Sequence, residues 1–291
     1  MTDVPQPADI DLLGLELGPD PRRGRFELVP ALVRPDGALY GGTAIAASIV
    51  AMEAATARPT LWVTTQFVAT AAVGDVIECE TDVLAMGRRI AQVQVSGRLG
   101  DQVVFMSLGS TAAPRDGALE GQYQQMPAVG SPEDSESTLF GPGRLADTPG
   151  FTSQIEYRQA EVLGGEEPAA SLAMWARLTG GRVATRAAIA FVADMVPAAI
   201  FRAAGLGGER GPAGATSLDN SLRFGRIPPD QEWVLLEMQG HMASGGSAHG
   251  SVLVWTPEGA LLAVGGQSAR MVHAGGLAGV GRPPLFETRG S

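Results

Sequence analysis

YGGTAIAASIVAMEAATARPTLWVTTQFV, residues 40–68, changes character partway along. Its first part follows two glycines with Ala, Ile, Val and Met at every turn, so a helix there is apolar on nearly all faces and has to be buried. Its last part, LWVTTQFV (61–68), is β-branched and aromatic, which is strand composition. Three more strand-like segments follow, DVIECETDVLAM (75–86), RRIAQVQVSGRL (88–99) and QVVFMSLGSTA (102–112), with turns at Val73-Gly74-Asp75, Gly87 and Gly100-Asp101. This order predicts an antiparallel meander beside one buried helix.

The same order returns further on: a strand-like ASLAMWARL (170–178), an apolar helix from about Arg186 to Ala204, then SLDNSLRF, EWVLLEMQGHMA, HGSVLVW and ALLAVGGQSARMV. A shift of 157 residues pairs Phe67 with Phe224, Asp75 with Glu232, Glu80 with Glu237, Val95 with Val252, Asp101 with Glu258 and Gly109 with Gly266. The matching order points to a duplication. The expected fold is α+β: two long apolar helices, each wrapped by an antiparallel sheet, with the two sheets joined side by side. Residues 1–113 and 151–275 are the expected halves. Residues 114–150, rich in Pro, Gly, Ser and acids, read as a linker, and 276–291 as a flexible tail.

With 291 residues and 45% hydrophobic content, the chain can bury a substantial core. A net charge of -10 opposes nucleic acid as a partner, because cationic side chains supply most of the affinity for phosphate. All 21 basic residues are arginine, which excludes Schiff-base lysines and the phosphate-loop lysine. Cys79, the sole cysteine, excludes an intrachain disulfide and the multi-cysteine zinc sets. No stretch approaches the roughly 20 apolar residues of a membrane span. The start, MTDVPQPADIDL, lacks the basic and apolar regions of a secretory signal, so the cytoplasm is the expected location.

Chemistry concentrates in the second half. In FVADMVPAAIF (191–201), Asp194 stands between two apolar runs. A carboxylate buried there needs several hydrogen bonds or a raised pKa. Two readings stand side by side: an N-cap with Pro197 in the first turn, or a general base in a dry pocket. Ser217 precedes the strand ending at Phe224, and a serine in its Thr-Ser-Leu-Asp stretch reads locally as a turn residue. Gln267 follows Gly265-Gly266, where glycines in a strand mark a bulge or a close backbone approach. The same shift places Thr60 opposite Ser217 and Ser110 opposite Gln267, while the first helix carries only Glu53 near its end. One active site per chain is expected. Gly41 and Gly42 open the first helix and can either form a tight turn or offer N–H groups to an oxyanion.

The chain resembles the double-hotdog acyl-CoA thioesterases of the type II, or thioesterase B-like, family. The likeness rests on Leu39-Tyr40-Gly41-Gly42, Ala193-Asp194 with Pro197, Ser217-Leu218-Asp219-Asn220-Ser221 with Phe224, and Gln267, and it covers about residues 25–273. The resemblance implies hydrolysis of acyl-CoA to free acid and coenzyme A within fatty acid metabolism. It implies a water oriented by Asp194, Ser217 and Gln267, with Thr216 in place of Ser217 if the register slips by one, no metal or organic cofactor, and a homo-oligomer. It departs from the family at Leu61-Trp62-Val63-Thr64-Thr65, where relatives commonly carry histidines; His241, His249 and His273 all lie in the second half. A non-catalytic acyl-CoA or lipid-binding protein is the rival reading. A Gly-x-Ser-x-Gly elbow is absent, and alanine at position 199 removes the Asp-to-His spacing of hotdog hydratases. Arg88, Arg89, Arg223, Arg226 and Arg270 are candidates for coenzyme A phosphates, with none singled out.

Overall fold

The structure, a computed structural model, describes residues 4–113, 115, 117, 119–137, 150–163, 170–203 and 213–273. The strands of the first half are β1 (Glu16–Leu17), β2 (Arg23–Glu27), β3 (Thr60–Phe67), β4 (Val76–Met86), β5 (Ile90–Leu99) and β6 (Gln102–Ala112). Those of the second are β7 (Ile155–Gln159), β8 (Ser171–Leu178), β9 (Ala213–Phe224), β10 (Val234–Ser244), β11 (Ser247–Trp255) and β12 (Leu261–His273). They form one 12-stranded sheet in the order β1-β2-β4-β5-β6-β3-β9-β12-β11-β10-β8-β7. The order is mirrored about the antiparallel β3–β9 pair, where Trp62 faces Arg223 and Gln66 faces Asp219.

The helices are α1 (Pro7–Leu13), α2 (Gly41–Thr56), α3 (Arg186–Ala193) and α4 (Pro197–Ala203). Helix α2 is buried all round, with Ala44, Ile45, Ala46, Ala47, Ile49 and Met52 in the core against β3 to β6. The second helix corrects the expectation: instead of one long helix from Arg186, the chain breaks at 194–196 and restarts at Pro197. Proline has no N–H to give and its ring clashes with the carbonyl four residues back, which explains the break. The expected tail, 276–291, lies outside the described residues, as does residue 204 at the expected helix end.

Helices α2 and α3 pack together, and two features allow their close approach. A Cβ on Gly42 would lie 2.6 Å from the Phe191 carbonyl oxygen, so glycine is required there. Tyr40, just ahead of α2, stacks on Phe151 at 3.6 Å between centroids and donates its hydroxyl to that same Phe191 carbonyl at 2.9 Å. Tyr157 on β7 donates to the Val192 carbonyl at 3.2 Å. The break leaves the last carbonyls of α3 without helical partners, and these two tyrosines supply them.

Within the segment expected as a linker, the chain lies against the outer face of the second half. Trp175 donates its indole N–H to the Gly130 carbonyl at 2.9 Å, Val129 bridges to Val162, and Met126 packs against the cluster of Trp175, Leu235 and Trp255. None of the described helices is long and apolar enough to cross a membrane.

One transverse row of the sheet matters for the site. Cross-strand partners run Thr81, Val95, Ser107, Thr65, Asn220, Gln267, Gly250, Gly240 from β4 to β10. The glycines end the row where the broken helix sits lowest: a Cβ on Gly250 would lie 2.7 Å from Val196, and one on Gly240 2.8 Å from Ile200. Gly250→Ala is therefore expected to lower stability by about 1–3 kcal/mol through overpacking, read as a fall of several degrees in Tm. An unchanged Tm would contradict this close packing of Gly250 against Val196 and the Gln239 carbonyl.

Candidate functional site

Asp194 caps the C-terminus of α3 and is only 6% exposed. The Asn220 amide N–H donates to its Oδ1 at 2.8 Å and the Gln267 amide N–H to the same oxygen at 2.7 Å. The carboxylate faces the first turn of α2, where the Gly42 backbone N–H favours its ionised form. Its other oxygen, Oδ2, lies so near Gly41 that a Cβ there would collide with it. The N-cap reading with Pro197 in the first turn is corrected: Asp194 ends α3, and its carboxylate is buried beside the start of α2, a helix of the other half.

Gln267, 2% exposed, is held from both ends of its amide. Its carbonyl accepts the Val196 N–H at 3.2 Å, a donor released by the break between α3 and α4. This fixes the amide orientation, so that Nε2 donates to Asp194 and, at 2.8 Å, to the Ser217 hydroxyl oxygen. Ser217 therefore meets Asp194 through Gln267, and having accepted there it keeps its own proton for donation. Thr216, the alternative hydroxyl, is exposed.

The structure thus brings Asp194, Ser217, Gln267, Gly41 and Gly42 together, and adds Asn220 as a direct partner of the carboxylate. The signal for Asn220 was hidden by a bulge. Ser268 pairs with Asp219 but Ala269 pairs with Ser217, leaving Leu218 extra. Strict alternation would put Ser217 and Asn220 on opposite faces; the additional residue turns them to the same one. The first-half counterparts form no such cluster: Ser110 donates to Gln92 at 2.8 Å, and the Thr60 N–H goes to Glu53. His241 and His249 bond Ser251 and Ser268 on exposed strand positions. Among the described residues no three His, Cys, Asp or Glu side chains converge as a metal site requires.

Burial pushes the Asp194 carboxyl up to about 7, opposed by the bonds from Asn220 and Gly42 and by the charge of Arg34. Arg34 is anchored to the Ala215 carbonyl at 3.1 Å and paired with Asp36. A carboxylate balanced near neutrality can accept a proton from water.

Residues 125–271 match the acyl-CoA thioesterase C-terminal domain and residues 31–112 the N-terminal domain of that family. The chain belongs to the acyl-CoA thioesterases. A crystal structure of a Novosphingobium aromaticivorans protein assigned to the thioesterases is 30% identical, with a TM-score of 0.80 over 89% of this chain and 98% of that one. The acyl-CoA thioesterase II of Mycobacterium marinum shares the fold at 19% identity and a TM-score of 0.73, covering 91% of this chain and 98% of its own. A hot dog fold protein of Alicyclobacillus acidocaldarius does so at 19% identity and a TM-score of 0.75, over 92% and 99% of the two chains. None of the curated proteins matches.

In this chain the buried acid has a consequence for stability. Its folded pKa stands above the unfolded value of 3.8, so its contribution is full below about pH 4 and is lost as pH rises toward 7. Asp194→Asn removes that loss. The Tm of the variant minus that of the wild type should therefore increase by several degrees between pH 4.5 and pH 8, and a difference constant with pH would show that Asp194 titrates normally.

Proposed function

We propose that this chain hydrolyses acyl-CoA to free acid and coenzyme A by direct attack of water on the thioester carbonyl. What carries the reading is a buried carboxylate, fixed by two side-chain amides at the start of another helix, in a chain of the acyl-CoA thioesterase family. Water gives a proton to Asp194 as its oxygen bonds to the carbonyl carbon. The tetrahedral intermediate collapses with cleavage of the carbon–sulfur bond, and the proton leaves on the thiol. Gln267 orients the carboxylate and Ser217, whose hydroxyl donates to the water or the thioester oxygen. The Gly41 N–H, in the first turn of α2 and beside Asp194 Oδ2, is the backbone donor for the oxyanion. No cofactor enters any step. The cytoplasm, a homo-oligomer and division into two hotdog halves at 1–113 and 151–275 complete the proposal.

Release of free thiol from acyl-CoAs of graded chain length tests it. Wild type should turn over at least one, with kcat/KM rising through about pH 7 as Asp194 ionises. Asp194→Asn should lose about 100-fold or more in kcat. Binding without turnover at any chain length would instead establish the acyl-CoA-binding alternative, and an Asn variant as active as wild type would remove Asp194 from the mechanism.

A further inference from the structure

We infer that Asn220 is a positioning residue for Asp194: together with Gln267 it occupies Oδ1, which leaves Oδ2, beside Gly41, as the oxygen that takes the proton from water. Neither amide alone would make that selection. An ionised carboxylate has two nearly equivalent oxygens, and two N–H donors on one of them engage the lone pairs that lie in the carboxylate plane.

Three observations support the assignment. The Asn220 bond to Oδ1 at 2.8 Å is as short as that from Gln267 at 2.7 Å, so the two act as a pair. Asn220 is 2% exposed, yet its carbonyl Oδ1 has no hydrogen-bond partner. An orphaned acceptor is costly, and a side chain kept for packing alone would avoid it. The neighbouring hydroxyls do not relieve it: Thr65, its partner on β3, bonds Ser107 at 2.7 Å, and Ser107 bonds Ser48 at 2.7 Å. Asn220 thus keeps its amide for the half that donates. Finally, the bulge at Leu218 is what turns Asn220 and Ser217 to one face, so a local irregularity of β9 serves both contacts.

The other polar groups near Asp194 leave this role open. Tyr40 and Tyr157 spend their hydroxyls on carbonyls at the end of α3, the Gly42 N–H and the charge of Arg34 favour the ionised carboxylate, and Arg34 itself donates to Ala215 and Asp36. Among the described residues of β9 and β12, those in the hydrogen-bonded cluster are the uncharged Ser217, Asn220 and Gln267.

The kinetic part of this inference rests on the thioester-hydrolase reading, and its test has an arm that does not. In the full chain, Asn220→Leu keeps the volume and loses the donor, with Asn220→Ala as the second variant. Loss of a donor to the charged form raises the pKa. The carbon-13 carboxyl resonance of Asp194, identified by its disappearance in Asp194→Asn, should titrate about one pH unit higher in both variants. Hydrolysis should fall about 10- to 100-fold in kcat with KM changed less than about threefold, and the acid limb of the pH profile should move up in parallel. If wild type hydrolyses no acyl-CoA, the hydrolase reading fails while the titration still decides the role of Asn220. A folded variant whose Asp194 titrates as in wild type overturns the inference, whatever its rate.

Discussion

The close approach of α2 and α3 across the β3–β9 seam governs the rest of this molecule. It needs a residue without a side chain at Gly42, where the Phe191 carbonyl would meet any Cβ. It also delivers the first turn of one half's helix to the last turn of the other's, so that Asp194 and the Gly42 N–H meet. A helix start carries a partial positive charge and unpaired N–H groups, and a carboxylate at that point is favoured twice over. The duplicated architecture therefore does more than build a wide sheet. It juxtaposes two helix ends that no single half possesses.

The broken helix is the second structural element of the site. Pro197 prevents continuation of α3, and three of the groups released by the break find specific partners. Tyr40 and Tyr157 take the carbonyls of Phe191 and Val192, while Gln267 takes the Val196 N–H. The last of these bonds fixes which end of the Gln267 amide faces Asp194. Backbone and site are thus coupled through one side chain, and Gly240 and Gly250 beneath α4 leave the room that the coupling requires.

Much of this was legible from the residues. The strands of both meanders show in β-branched runs separated by glycine turns, and α2 shows in a run apolar on every face. The shift of 157 residues corresponds to real spacing, since β4, β5 and β6 are followed at about that interval by β10, β11 and β12. Asp194 stood out because a charge in an apolar run demands an explanation. The helix break was less visible: the composition on both sides of Pro197 is equally helical, and periodicity does not register a short interruption. Asn220 was hidden for another reason. Its facing depends on the bulge at Leu218, and a bulge belongs to strand pairing, not to the strand itself.

Through the family resemblance the sequence offered Ser217 and Gln267 as partners of Asp194; taken alone, it determined the element types, the repeated order and the exclusion of lysine and disulfide chemistry, and it marked Asp194 as a charge in an apolar run. What it determined alone follows from composition and local pattern, which act over a few residues. The tertiary structure decided which groups touch: that Ser217 reaches Asp194 through Gln267, that Asn220 bonds the same carboxylate oxygen as Gln267, and that the helix start beside Asp194 lies in the other half. Those contacts join residues 26 to 152 positions apart in the chain, and nothing local in the sequence encodes them. They exist because one sheet, continuous through β3 and β9, holds both halves in a fixed register.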